Sequence, residues 1–323
     1  ISSTTAGSRA SVGSGKAAVP AEGEGRCEGG EGGGGGGCGV EAAAKKTKFV
    51  VNTLNARGQT DVVRYVLRRK RRQDRSWREN ANPNNDVGGS VLWVVYPEDF
   101  EDAVLAVQEE GLHPRISRVP GMSELCHKVL FACALQTMKD WDPARFHFWP
   151  RTWILPDDHA KMMKYCKRQR GTLIVKPDRG SQGHGIQLVQ AAQDIDRRVD
   201  ALGEGMCAVV QEYKDDPLLI DGRKFDLRLY VLVLGVDPMR VFLCHEGIAR
   251  FCVQPYEKAR ASNLSNVTGH LTNYAVNRSA EGFDASADGS KRLLSRVLVT
   301  LAEMGIDTDA VWDSLCRLVQ MTL

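Results

Sequence analysis

Four short stretches of this sequence carry residue types that could do chemistry together. The first is Lys176, which leads into Pro177-Asp178-Arg179-Gly180-Ser181-Gln182-Gly183-His184-Gly185-Ile186. A glycine-rich stretch can turn backbone N–H groups toward phosphate oxygens, and a lysine at its entrance meets their charge. Gly183-His184-Gly185 lacks the third glycine of a dinucleotide fingerprint and no helical pattern follows it, so a lid between two strands is expected. A surface hairpin beside an exposed lysine has the same pattern. The second stretch is Lys224-Phe225-Asp226-Leu227-Arg228, where strand alternation puts Asp226 and Arg228 on one face. Charges set among apolar residues need partners, either an internal salt bridge or a ligand. The third, Gly247-Ile248-Ala249-Arg250-Phe251, sets a lone arginine in an apolar strand, suited to gripping a carboxylate through two N–H groups. The fourth is the polar and aromatic cluster His270-Leu271-Thr272-Asn273-Tyr274.

These stretches need elements to hold them. Residues 1–44 contain 14 of the 32 glycines and few aliphatics, so they read as a disordered tail. Residues 45–113 read as an N-terminal domain: strand Phe49–Asn52, a helix capped by Asp61, strand Val91–Tyr96 and a helix ended by Gly111. Its first helix runs into Arg68, Arg69, Lys70, Arg71, Arg72, Arg75 and Arg78, either a solvated face or a device for steering an acidic partner. Residues 114–213 form a second region, with Ser123 as N-cap of a helix carrying Leu125 to Met138 and a basic-faced helix near 157–169. Strands Thr172–Lys176 and Ile186–Val189 flank the glycine loop. Residues 214–323 form the third region: a turn at Asp221-Gly222, alternation from Phe225 to Val233, a hairpin of Val241–His245 with Gly247–Cys252, and a helical end from Lys291.

Composition excludes several classes. With 43 Lys+Arg against 40 Asp+Glu the net charge is +3, too little for wholesale binding to a nucleic-acid backbone. The best apolar run, Leu229–Val236, is too short to span a membrane, and no secretory signal is visible. Nine cysteines without CxxC spacing suggest reduced thiols of a cytosolic protein, without a zinc site.

Taken in order, the motifs resemble the tubulin–tyrosine ligase-like family, most closely its polyglutamylase branch. The matching stretches are Val119–Glu124, Pro150–Trp153, Ile174–Asp178, Ser181–Ile186, Val210–Tyr213, Pro217–Arg228 and His270–Tyr274. The resemblance implies an α+β, ATP-grasp fold: two lobes with mixed or antiparallel sheets (114–213 and 214–323) behind a small N-terminal α/β domain. It implies ATP- and Mg²⁺-dependent ligation of free L-glutamate onto glutamate side chains of tubulin tails, through an acyl phosphate. An inactive tail-binding module, a glycylase or a tyrosine ligase are the alternatives.

By position in the family, Lys176 would meet the α/β-phosphates under a lid of Gln182, Gly183, His184, Gly185 and Ile186. Gln211, Glu212, Tyr213 and Lys214 would flank adenine, with Lys224, Phe225, Asp226, Thr272 and Asn273 lining the pocket. Arg250 would hold the glutamate carboxylate, with Tyr274, Asn277 and Arg228 nearby, while Arg68, Arg71 and Arg72 face the acidic tail. His184 and Arg278 stand where the family commonly has Arg and Lys. Nothing from Lys291 to Leu323 matches the family's acidic magnesium motif. The magnesium ligands are therefore expected beyond residue 323, the last lobe incomplete and this chain inactive alone. A monomer on the cytoskeleton, in the cytoplasm and at a cilium, flagellum or basal body, completes the expectation.

Overall fold

The computed structural model describes residues 48–54, 56, 58, 60–80, 87–96, 98–169, 171–200 and 207–323. The tail expected over residues 1–44 lies outside them. The first layer runs β1 (Phe49–Asn52), α1 (Asp61–Gln73), β2 (Trp77–Asn80), β3 (Val91–Leu92), α2 (Glu98–Glu109) and β4 (Arg115–Ile116). These strands pair in parallel in the order β2-β1-β3-β4. Parallel neighbours need a crossover, and α1 supplies it between β1 and β2. Val63 and Leu67 of α1 close over Val51. Thr60 occupies the N-cap position and Asp61 is the first helical residue. Helix α1 stops at Gln73, so the basic run does not stay helical: Arg75 lies in a turn and Arg78 in β2. The strand expected over Val91–Tyr96 shortens to two residues, because the backbone of Val94 bonds the Ser117 hydroxyl.

The second layer begins with a short 3-10 turn, Glu124–Cys126, and continues as α3 (Lys128–Trp141), β5 (Thr152–Leu155), α4 (His159–Arg168) and β6 (Leu173–Pro177). Then come β7 (Gln187–Val189), α5 (Ala192–Asp200) and β8 (Ala208–Glu212). Ser123 precedes only the 3-10 turn; α3 starts at Lys128, three residues after the expected apolar pattern opens at Leu125. The sheet is antiparallel in the order β5-β8-β6-β7. Alternation gives its faces different jobs. Trp153, Leu155, Leu173, Val175, Ala208 and Val210 bury one face under Met162 of α4, which is fully covered. Thr152, Lys176 and Gln211 occupy the other face and bond to one another.

The third layer comprises β9 (Leu219–Ile220), β10 (Arg223–Arg228), β11 (Val231–Val236), β12 (Met239–Leu243) and β13 (Ile248–Phe251). The short helices α6 (Val267–His270) and α7 (Tyr274–Asn277) follow, then β14 (Lys291–Leu293), α8 (Leu294–Glu303) and α9 (Thr308–Thr322). The Asp221-Gly222 turn has positive φ at both residues (53° and 67°), the geometry that suits the twist of a tight hairpin. One sheet runs β14-β13-β10-β9, and β11 with β12 forms a separate two-stranded ribbon. The hairpin expected between Val241–His245 and Gly247–Cys252 is therefore absent; β12 pairs with β11, and β13 lies between β10 and β14. Likewise Phe225–Val233 is not one strand, since the chain leaves β10 after Arg228 and Tyr230 accepts from Cys244. Val297 and Leu301 of α8 pack on Ala249 and Phe251. Among the described residues, no helix is long and apolar enough to cross a membrane.

Candidate functional site

The end of β8 organises a cluster of positive charge. Gln211 and Tyr213 are two residues apart in extended chain and so share a face. The Lys176 ammonium donates to the Gln211 side-chain carbonyl (2.6 Å), and the Gln211 amide donates to the Thr152 hydroxyl (2.9 Å). The Lys224 ammonium donates to the Tyr213 hydroxyl (2.8 Å) and sits 4.1 Å from the ring centroid. Burial, then the nearby charge of Lys128, holds Lys176 below the usual lysine range. Burial pulls Lys224 further, to about 8, against the opposing influence of Cys252 and Asp226. Among the described residues neither lysine forms an ion pair. Two partly buried lysines that form no ion pair make a place suited to an anion.

The glycine-rich loop leaves the same strand that carries Lys176. β6 and β7 are antiparallel, as the sequence suggests, and residues 178–186 join them. Positive φ at Gly180 (114°), Gln182 (62°), Gly183 (91°) and Gly185 (73°) turns the chain repeatedly. Only glycine adopts such angles freely, so the spacing of three glycines is a conformational need. A Cβ on Gly183 would approach Asn273 and Val276 to 3.0 Å, so the loop rests against the start of α7. At the loop's base, Lys128 donates to the carbonyls of Asp178 (3.0 Å) and Gly180 (2.7 Å), while Asp178 accepts from the Val129 N–H (3.0 Å). Sequence reading passed over Lys128, because a lysine opening a helix looks like any solvated side chain. The one available signal was its position at the first turn of the helix after the Val119–Glu124 motif.

Next to this cleft, register places Asp226 opposite Arg250 across β10 and β13. The guanidinium grips the carboxylate through Nε (2.9 Å) and through a second, shorter bond from a terminal nitrogen. Of the two readings that sequence allowed for Asp226, the internal salt bridge is the one observed. Arg250 remains about one-quarter exposed, able to offer its charge to a further carboxylate.

The other expected site residues divide. Asn273 lies against the lid, with Thr272 beside it half-buried. His184 and Lys214 are exposed, as are Arg228 and Tyr274; the Lys291 ammonium covers the Tyr274 ring at 3.5 Å. Phe225 turns away from the cleft and stacks on Phe251 in the core, because alternation puts it opposite Lys224 and Asp226. Glu212 likewise points to the reverse face, where it accepts from the Tyr165 hydroxyl and lies 3.8 Å from Arg151. Asn277 is buried, and its side chain is consumed by backbone: it accepts from Val253 N–H (2.9 Å) and donates to the carbonyls of Leu271 and Asn273. Gly185 packs against Pro177, and Ile186 begins the return to β7. Arg68, Arg71 and Arg72 are exposed on α1 in the first layer. Among the described residues no three His, Cys, Asp or Glu side chains gather into a group able to hold a metal.

Comparison with known proteins identifies the family. Residues 106–323 match the Tubulin-tyrosine ligase family. A tubulin polyglutamylase TTLL6 of Mus musculus is 37% identical over 281 residues, covering 86% of this chain and 32% of the relative. A mouse tubulin polyglutamylase TTLL11 is 38% identical over 292 residues (87% and 38%), and a zebrafish ttll6 is 39% identical over 233 residues (72% and 29%). The chain thus spans about a third of the length of the curated relatives it matches. With a lysine-lined cleft, a glycine lid and a family match over residues 106–323, the chain belongs to the tubulin-tyrosine ligase family.

Proposed function

We propose that this chain is the nucleotide-binding core of an ATP-grasp ligase that adds glutamate to glutamate side chains of tubulin tails. One observation carries the nucleotide half: Lys176 and Lys224 are partly buried, close enough to feel each other's charge, and neither forms an ion pair among the described residues. Lid N–H groups and these lysines suit a triphosphate, and their charge would spread the negative charge of phosphoryl transfer. The N–H groups of Glu212 and Tyr213 already donate to the carbonyls of Arg151 and Thr172, which leaves the backbone at Lys214 to hydrogen-bond adenine. The identity to tubulin polyglutamylases supports glutamate over glycine or tyrosine as the amino acid joined.

ATP supplies the activation: an acceptor carboxylate oxygen attacks its γ-phosphorus, the bond to the β,γ-bridging oxygen breaks, ADP leaves and an acyl phosphate forms. The amino group of free glutamate attacks that carbonyl carbon, the C–O bond to phosphate breaks, and inorganic phosphate leaves. This chain's residues bind and orient. Arg250 holds a carboxylate of the incoming glutamate, with Asp226 fixing the guanidinium plane. The exposed arginines of α1 draw in an acidic tail. Magnesium, which neutralises phosphate charge in such reactions, would take its carboxylate ligands from outside the described residues. A cytoskeletal, cytoplasmic monomer, at a cilium, flagellum or basal body, fits a substrate of polymerised tubulin.

The test is incorporation of labelled glutamate into tubulin by the chain extended to the length of its relatives. Arg250→Lys is expected to raise the glutamate requirement far more than the ATP requirement, because lysine cannot reproduce a two-point grip. Equal effects on both would reduce Arg250 to a strut for Asp226. Incorporation of glycine or tyrosine in place of glutamate would overturn the choice of amino acid, and tail binding without incorporation would mark a binding module.

A further inference from the structure

The reverse face of the β5-β8-β6-β7 sheet carries a second charged feature that the proposed chemistry does not use. Between α4 and β5 lies a cavity of about 290 Å³, rimmed by Arg151, Lys161, Lys164 and Arg168 and floored by Trp153 and Tyr165. Helix α4 contains no acidic residue. Of its rim cations, Lys161 is held by Asp158 at 2.7 Å, whereas Lys164 and Arg168 form no ion pair among the described residues. Arg151 is oriented: its guanidinium lies 4.9 Å from the Tyr165 centroid and is steadied by Glu212, yet its side chain stays about half exposed. Register fixes where this is. Trp153 and Glu212 point to the α4 face, and Lys176 and Gln211 point to the opposite one, so the cavity and the nucleotide cleft are separated by the sheet.

We infer that this cavity is a docking site for the carboxylate side chains of an acidic polypeptide segment, engaged independently of the nucleotide cleft. Three unneutralised or half-neutralised cations around a small concavity suit one or two carboxylates, with Arg151 oriented for two-point contact. Nucleic acid fits less well. Single strands need exposed ring faces for stacking, but Trp153 is only 6% exposed and Arg151 covers Tyr165. The chain's net charge of +3 also leaves little for tracking a phosphate backbone.

The experiment titrates the full chain with a fluorescein-labelled octaglutamate peptide, followed by anisotropy, and maps zero-length carbodiimide cross-links by mass spectrometry. Cross-links are expected at Lys164, and the double variant Lys164→Glu/Arg168→Glu should bind about tenfold more weakly, with excess ATP leaving parent binding unchanged. Lys176→Ala should bind the peptide as the parent does, which separates this site from the proposed ligase activity. Cross-links confined to Lys70, Lys176 or Lys224 would overturn the inference, as would undiminished affinity in the double variant or displacement by ATP. A thymidine octanucleotide that competes as well as the peptide would assign the cavity to nucleic acid instead. If the double variant folds poorly, the cross-link map of the parent decides alone.

Discussion

In the proposed nucleotide site, the depressed pKa of Lys224 would make ATP binding a proton-uptake reaction, and the size of the uptake can be worked out. Burial brings this lysine from 10.5 to about 8. At pH 7 about nine-tenths of it is protonated, at pH 8 about half and at pH 9 about one-tenth. A triphosphate beside it favours the ammonium and raises the pKa again. If the bound state is fully protonated, binding takes up about 0.1 proton at pH 7, about 0.5 at pH 8 and about 0.9 at pH 9. Affinity should fall about tenfold between pH 7 and pH 9 as the competent form is depleted. Lys176, shifted in the same direction, adds uptake of the same sign. The unliganded protein carries the matching sign in its stability. Between about 8 and 10.5 the unfolded chain binds more protons than the folded one, so this lysine's contribution to stability rises with pH across that window and is lost below it. Calorimetry of ATP binding in buffers of different ionisation enthalpy gives the uptake as a slope. Lys224→Met should lower it by about half a proton at pH 8. Equal uptake by parent and variant at pH 8 and 9 would refute the argument that Lys224 meets the anion.

Three further outcomes are expected. Lys176→Ala should abolish the thermal shift caused by ATP while circular dichroism stays native, because its ammonium bonds one side chain, Gln211, and contributes little to packing. Asn277→Ala should lower stability by about 2–3 kcal/mol, read as a lower urea midpoint, since it leaves the Val253 N–H and the Leu271 carbonyl without their partner in the buried interior. Replacing Arg68, Arg71, Arg72 and Arg75 with Gln should slow association with tubulin and flatten its dependence on salt, whose screening length is roughly 8–10 Å under physiological conditions. An unchanged salt slope would leave α1 as a solvated face.

What the sequence revealed depended on whether the pattern was local. The strand–loop–strand around Lys176 was legible because apolar alternation stops at Pro177 and resumes at Gln187, and both strands use their nearest neighbour in sequence. The tight turn at Asp221-Gly222 was legible for the same reason. The break after Arg228 was not, because alternation runs on unbroken through Val233 while the chain changes sheets. Pairing of β11 with β12 is decided by tertiary geometry, and neither Leu229 nor Tyr230, the two residues between β10 and β11, announces it. The start of α3 was misread because Ser123 is a good N-cap residue, but the first turn it heads is a 3-10 turn that ends at Cys126. At the candidate site, residue types singled out Lys176, Lys224 and Arg250 as residues to propose. Sequence could not show that Asn277 spends its amide on backbone, since that depends on what faces it across the fold, whereas alternation alone already set Phe225 on the face opposite Lys224 and Asp226.

The bonds of Asn277 have a consequence for the thermodynamics of ligand capture. By tying Val253, Leu271 and Asn273 together, that amide fixes the wall on which the lid rests before any ligand arrives. The opposite wall is glycine loop, whose residues lose the most conformational freedom when they stiffen, roughly 1–2 kcal/mol each. In the proposed nucleotide site, the entropy lost when the loop orders on a ligand would therefore fall mainly on residues 181–185 rather than on the bonded wall. A substitution that restricts the loop without distorting it would strengthen nucleotide binding by lowering that cost, while one that loosens Asn277 would spread the cost over both walls and weaken binding without touching a single ligand contact.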